Sequence, residues 1–187
     1  MKTQTKELLK DLTQRTQLVI ADTQSLESCA LTLLNQRDTP TEWSALECIE
    51  HLNRYSRFYV PEFYARISQS SHKPDTHYRS GWLGNYFANS MLPREDLNKM
   101  KTFSSMNPLG SSLDKTTIHE FLDYQEKMLE LLQNAEKVSL RKTKSSISIA
   151  SWIKLQLGDA LRVVVYHNQR HLVQALRAVG KNVSIPA

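Results

Sequence analysis

Helix breakers are scarce in this chain: five glycines and six prolines in 187 residues, about half the usual combined share. Sandwiches and barrels punctuate their many turns with these residues, so the shortage argues against them. Gly-rich phosphate loops are absent too: neither G-x-G-x-x-G nor G-x-x-x-x-G-K-[ST] occurs. What remains is rich in Leu, Gln, Glu and Lys, residues that favour long helices.

Six of the eleven breakers fall within residues 69–114 (Pro74, Gly81, Gly84, Pro93, Pro108 and Gly110). On either side the apolar residues recur at helical spacing. Residues 3–35 read as a first helix, ended by a turn at Arg37 to Thr41. Residues 42–60 read as a second, with Thr41 available as its cap. Pro61 predicts a kink or restart, with helix continuing to about Ser68. A third helix runs from Thr116 or Thr117 to Val138. A basic, Ser-rich connector follows, then a fourth helix from about Ile149 to Val179, stopped by Gly180. The 69–114 connector holds one short amphipathic helix around Trp82, Leu83, Tyr86, Phe87 and Met91. The expected fold is therefore all-α: one domain over 1–187, a four-helix bundle with a long connector between helices 2 and 3.

Cys29 and Cys48 form neither a disulfide framework nor a C-x-x-C pair. The N-terminal stretch is polar, and no apolar run approaches a membrane span. The expectation is a cytoplasmic protein with free thiols and no membrane partner. The net charge of +5 is mild. No basic stripe with stacking aromatics accompanies it, so nucleic acid is not the expected partner.

Of six histidines, His167 and His171 stand four apart in H-N-Q-R-H, on one face of the fourth helix. That spacing lets two imidazoles share a metal ion. It is not the zincin helix, because Asn168 replaces the catalytic Glu. The spacing arises readily by chance, so position on the helix carries the argument. The apolar stripe comprises Leu161, Val164, Val165, Leu172, Ala175, Leu176 and Val179. Both histidines lie at its edge, with Gln174 on the same line and Arg162, Gln169 and Arg177 outside. A third ligand must come from another helix, and His51 is the best placed. His72 and His77 lie in the polar connector, and His119 opens the third helix; surface positions suit all three. The competing reading is a set of buried histidines held by hydrogen bonds in a non-catalytic bundle that binds a small ligand or protein partner.

W-S-A-L-E-C-I-E-H-L-N, with Trp43, Ser44, Glu47, His51 and Leu52, resembles the second-helix signature of the DinB/YfiT-like superfamily. H-N-Q-R-H-L-V-Q, with His167, His171 and Gln174, resembles its fourth-helix signature. Motif order, connector and length also fit, so the resemblance covers nearly the whole chain. It implies a four-helix bundle, commonly dimeric, with a divalent metal held by His51, His167 and His171. It also implies putting that metal to use on a small molecule, as a thiol transferase or a hydrolase. Three neutral imidazoles leave room for water, a low-molecular-weight thiol or substrate. They suit zinc or nickel foremost, without fixing the metal. Each ligand's other ring nitrogen needs an orienting partner; Glu47 and Gln174 are the candidates. Tyr55, Phe58 and Tyr59 could line a pocket beside His51, and Arg170 could bind an anionic group. Trp82, Tyr86 and Phe87 could form a lid or pack across the bundle.

Overall fold

The computed structural model describes residues 1–93 and 102–182. It is mostly helical. Strand β1 (Lys2–Gln4) leads into α1 (Thr5–Leu26). A single-turn helix α2 (Leu31–Leu34) precedes α3 (Ala45–Ser68). Then come β2 (His77–Arg79), α4 (Trp82–Met91) and one 3-10 turn at Ser104–Met106. Helix α5 (Thr116–Ala135), strands β3 (Lys144–Ile147) and β4 (Ala150–Gln156), and α6 (Leu157–Ala178) complete the order. The long helices α1 and α3 each pack against both α5 and α6, and α4 lies across α6. No helix among the described residues is long and apolar enough to cross a membrane.

Two small antiparallel sheets correct the all-helical expectation. β1 pairs with β2, setting Thr3 opposite Tyr78. β3 pairs with β4, with an irregularity between Ser146 and Ile147. The second hairpin occupies residues expected to be connector and the first turns of the last helix. Its Ile147 and Ile149, then Ile153 and Leu155, stand two apart, the period of a strand, with Ser151 interrupting the series. The last helix therefore begins at Leu157, and Gly180 ends it at φ +67°.

The first helix also differs from its expected 3–35 span. It stops at Leu26, where Ser25 and Ser28 hydroxyls donate to the carbonyls of Asp22 and Ser25 at 2.7 and 2.9 Å. Such local bonds compete with the helix ladder. Ser44, not Thr41, caps α3: its hydroxyl accepts from the Glu47 N–H while the Glu47 carboxylate accepts from the Ser44 N–H. This capping box is written in the sequence as S-x-x-E. Helix α3 runs unbroken through Pro61, which is exposed. Residues 94–101 of the expected connector lie outside the described residues.

The apolar core falls into two clusters. One gathers Leu8, Leu12, Phe63, Met128, Leu131, Leu161 and Val165. The other gathers Val19, Leu26, Leu46, Ile49, Phe121, Leu172 and Leu176. Between them along the helices lies a buried polar layer: Thr16, Asn53, Ser56, Gln125, Asn168 and Gln169. Asn168 Nδ2 donates to Gln125 Oε1 at 3.1 Å and Asn53 Nδ2 to the Thr117 carbonyl at 2.9 Å. Arg15 reaches Gln169 Oε1 at 2.7 Å.

Arg162 and Gln169 lie outside the histidine line, yet both are buried. The reason is α4, which covers the Arg162 side of α6, and α1, which covers the Gln169 side. Asp159 and Arg162 form an enclosed ion pair at 3.3 Å. Asp159 also accepts from the Ser80 hydroxyl and from the Gly81 N–H at 2.8 Å, at the start of α4. A carboxylate there complements the positive end of the helix dipole. Arg162 extends the clamp to Asn85 and Asn89, both at 3.2 Å.

Candidate metal centre

His51 projects from α3, and His167 and His171 from α6; all three meet in one cluster. One ligand atom from each can be chosen so that all three lie within 4.8 Å of one another. His51 Nε2 stands 3.2 Å from His167 Nε2. Two imidazole nitrogens bound to one tetrahedral metal at about 2.0–2.1 Å stand ~3.3 Å apart, so the spacing fits shared coordination. Two of the other ring nitrogens are tied down. His51 Nδ1 donates to the Met106 carbonyl at 2.7 Å, and His171 Nδ1 to Gln174 Oε1 at 3.0 Å. Those bonds select the tautomer whose Nε2 lone pair is free for a ligand role. The donor set therefore fits a divalent ion.

Burial keeps the cluster neutral. It pushes His51 down to about 4, against the opposing pull of its Met106 bond. It pushes His171 down to about 3, with nearby His51 adding to the effect, and His167 well below its ordinary range. Neutral imidazole is the form that binds metal. The sign of the stability effect follows. In the unfolded chain these rings titrate near about 6.5. Below that pH the unfolded state takes protons that the folded state refuses, so folding loses stability. The metal-free protein is thus expected to lose urea resistance steadily from pH 6.5 down to about 4. Replacing His51 and His171 by glutamine should flatten that slope; an unaltered slope would place its origin elsewhere.

The histidines sit in a cleft of about 830 Å³. Trp43 packs on His51 with centroids 4.6 Å apart and on His171 at 5.7 Å. Tyr55 meets His51 edge-on at 5.0 Å and His167 at 4.7 Å. Burial pushes the Tyr55 hydroxyl up to about 12, so it stays protonated. Tyr59, Arg170 and Gln174 also line the cleft, while Phe58 packs against the core. Phe87 lines the wall from α4, but Trp82 and Tyr86 point into solvent, 85% and 66% exposed. Tyr86 meets Phe87 edge-on at 5.8 Å. His72, His77 and His119 are exposed, and His119 pairs with Glu27 at 3.3 Å. Cys48 is fully buried, and burial raises its thiol pKa.

Glu47 does not reach His51 as an orienting partner. Its buried carboxylate accepts from Arg37 at 2.6 and 2.8 Å and from the backbone of Ser44 and Gly110. Burial alone would raise its pKa, but these donors hold it below the ordinary carboxylate value. It thus fastens two loops to the start of α3. One of them carries Met106. That loop is also held by Arg54, which donates to the Asn107 carbonyl at 2.8 Å, and by Trp43 Nε1, which donates to Asn107 Oδ1 at 3.0 Å. The Met106 carbonyl is backbone and carries no residue-type signal, so no spacing rule points to it. The hairpin adds Ile147, Ser148, Ile149 and Leu155 to the wall, in residues whose sequence pattern predicts connector and helix.

No curated protein and no solved structure matches the chain. The family model of the DinB superfamily matches residues 15–175. That range takes in all three histidines and the connector between their helices, and the chain belongs to the DinB superfamily.

Proposed function

We propose that the long helices form a DinB-type four-helix bundle in which His51, His167 and His171 bind a divalent metal, zinc or nickel foremost, and act with it on a small molecule. The observation supporting this is the convergence of three neutral imidazoles, two of them fixed by hydrogen bonds through their other ring nitrogen. A divalent ion bound there supplies a Lewis acid that lowers the pKa of a coordinated water or thiol. The chain's own residues do the rest. Met106 and Gln174 hold two rings in position, and Trp43 and Tyr55 shield the cluster from bulk water. Thiol transfer and hydrolysis share this machinery. Turnover that depends on an added low-molecular-weight thiol identifies the first; turnover in water alone identifies the second. Two-fold pairing of the chain, which the resemblance implies, is tested by sedimentation equilibrium.

The second reading is a bundle whose histidines are structural. The same 3.2 Å contact serves it as an N–H···N hydrogen bond between His51 and His167. Metal analysis of protein purified without a histidine tag separates the two. The metal reading expects one zinc or nickel ion per chain. Adding the ion at about 100 times its Kd should give about 2.7 kcal/mol of stability, or a Tm gain of about 5–10 °C. Protein that stays metal-free, with a Tm indifferent to both ions, would establish the structural reading.

A further inference from the structure

The histidines occupy one part of the cleft; much of its remaining wall is apolar. Phe87 and Met91 come from α4, Ile147 and Leu155 from the hairpin, and Val163 from α6. At the rim, Phe103 and Ile149 leave 54% and 44% of their surface in water. Water-filled space against such walls is what an apolar ligand body displaces favourably. The cleft's polar groups lie largely elsewhere. Among the described residues that line it, Glu42 is the one carboxylate, and it is exposed. Among these described residues no carboxylate joins the histidines, and three neutral imidazoles bring no negative charge to a cation.

We propose that the cleft takes a small amphiphile, with an aliphatic or aromatic body lying against these walls and a compact anionic head at the three histidines. The volume of about 830 Å³ exceeds what a head group alone needs and falls in the range of sites for drug-sized molecules. The head-group half rests on the metal reading given above. The body half rests on the walls alone, and the experiment keeps the two apart.

The probes are straight-chain alkyl hydroxamates from two to eight carbons, titrated calorimetrically into zinc-loaded protein. Affinity should rise about fourfold for each added methylene until the cleft is filled. Val163→Trp, which fills the wall, should flatten the series while the chain keeps one zinc. Ile149→Glu, at a partly exposed position that spares the core, should weaken the eight-carbon probe at least fivefold and leave the two-carbon probe unchanged. Equal binding of all chain lengths to zinc-loaded protein overturns the proposal and leaves the metal reading standing. If the protein takes neither zinc nor nickel, the metal reading fails separately. The body is then tested on the metal-free chain with 1-butanol, 1-hexanol and 1-octanol. Affinity that grows with length and is lost in Ile149→Glu supports the apolar site; no binding, or growth indifferent to that change, overturns it.

Discussion

Replacing His167 by alanine is expected to abolish stoichiometric zinc or nickel binding, weakening it at least about 100-fold, beyond the 10–100-fold cost of losing an outer-shell partner. His167 supplies the nitrogen 3.2 Å from His51 Nε2. Without it, His51 and His171 must hold an ion from separate helices, with one donor fewer. The folded state should survive, because the lost ring faces a cleft and leaves no apolar void sealed from water. Circular dichroism of the variant should match the parent while calorimetry shows no metal binding. Gln174→Leu sets the graded comparison. It removes the acceptor for His171 Nδ1 but none of the three rings, so about a tenfold loss is expected. Unchanged stoichiometry in His167→Ala would remove the proposed centre.

A second large effect is expected far from the histidines. A Cβ added to Gly84 would stand 2.4 Å from both Cβ and Oδ2 of Asp159. The neighbour cannot yield easily, because Asp159 is fully buried and bonded to Ser80, Gly81 and Arg162. Gly84→Ala should therefore push α4 off α6 and cost about 2 kcal/mol, lowering Tm by about 4–8 °C. Because α4 carries Phe87 and Met91 into the cleft wall, the same change should loosen ligand binding while zinc stoichiometry stays at one. Thermal denaturation and metal analysis of this variant check both parts. A Tm within a degree of the parent would show that α4 is free to shift.

These two sites differ in how far the sequence discloses them. H-N-Q-R-H places two rings on one helical face by its spacing, and W-S-A-L-E-C-I-E-H places His51 inside the second helix. The Gly84–Asp159 contact joins residues 75 positions apart, and nothing local to either announces it. The I-S-I-A-S-W-I-K-L run alternates except at Ser151 and adjoins the Leu- and Val-rich start of α6, so its apolar residues also fit a helix extended upstream. Glu47 shows a different obstacle. One acidic residue satisfied two local patterns: a turn before His51, and three residues after Ser44. The capping box, being satisfied within a single turn, holds the side chain. Helix wheels likewise mark Arg162 as outward, because they describe one helix and contain no information about α4 arriving on its far side.

The polar layer between the two apolar clusters acts as an index mark along the helix axes. Leucine faces tolerate sliding, since one apolar contact replaces another. Sliding α3 or α6 by one turn, about 5.4 Å, would set Asn53 or Asn168 against leucine and take from its Nδ2 the acceptor it now has. Buried amides are known to lock helix alignment in this way at a cost in stability. Here Asn168 adjoins His167 in sequence, and Asn53 lies two residues after His51. The same layer that prevents slippage thereby keeps the imidazoles of α3 level with those of α6, so their alignment is set by the folded chain before any ion arrives.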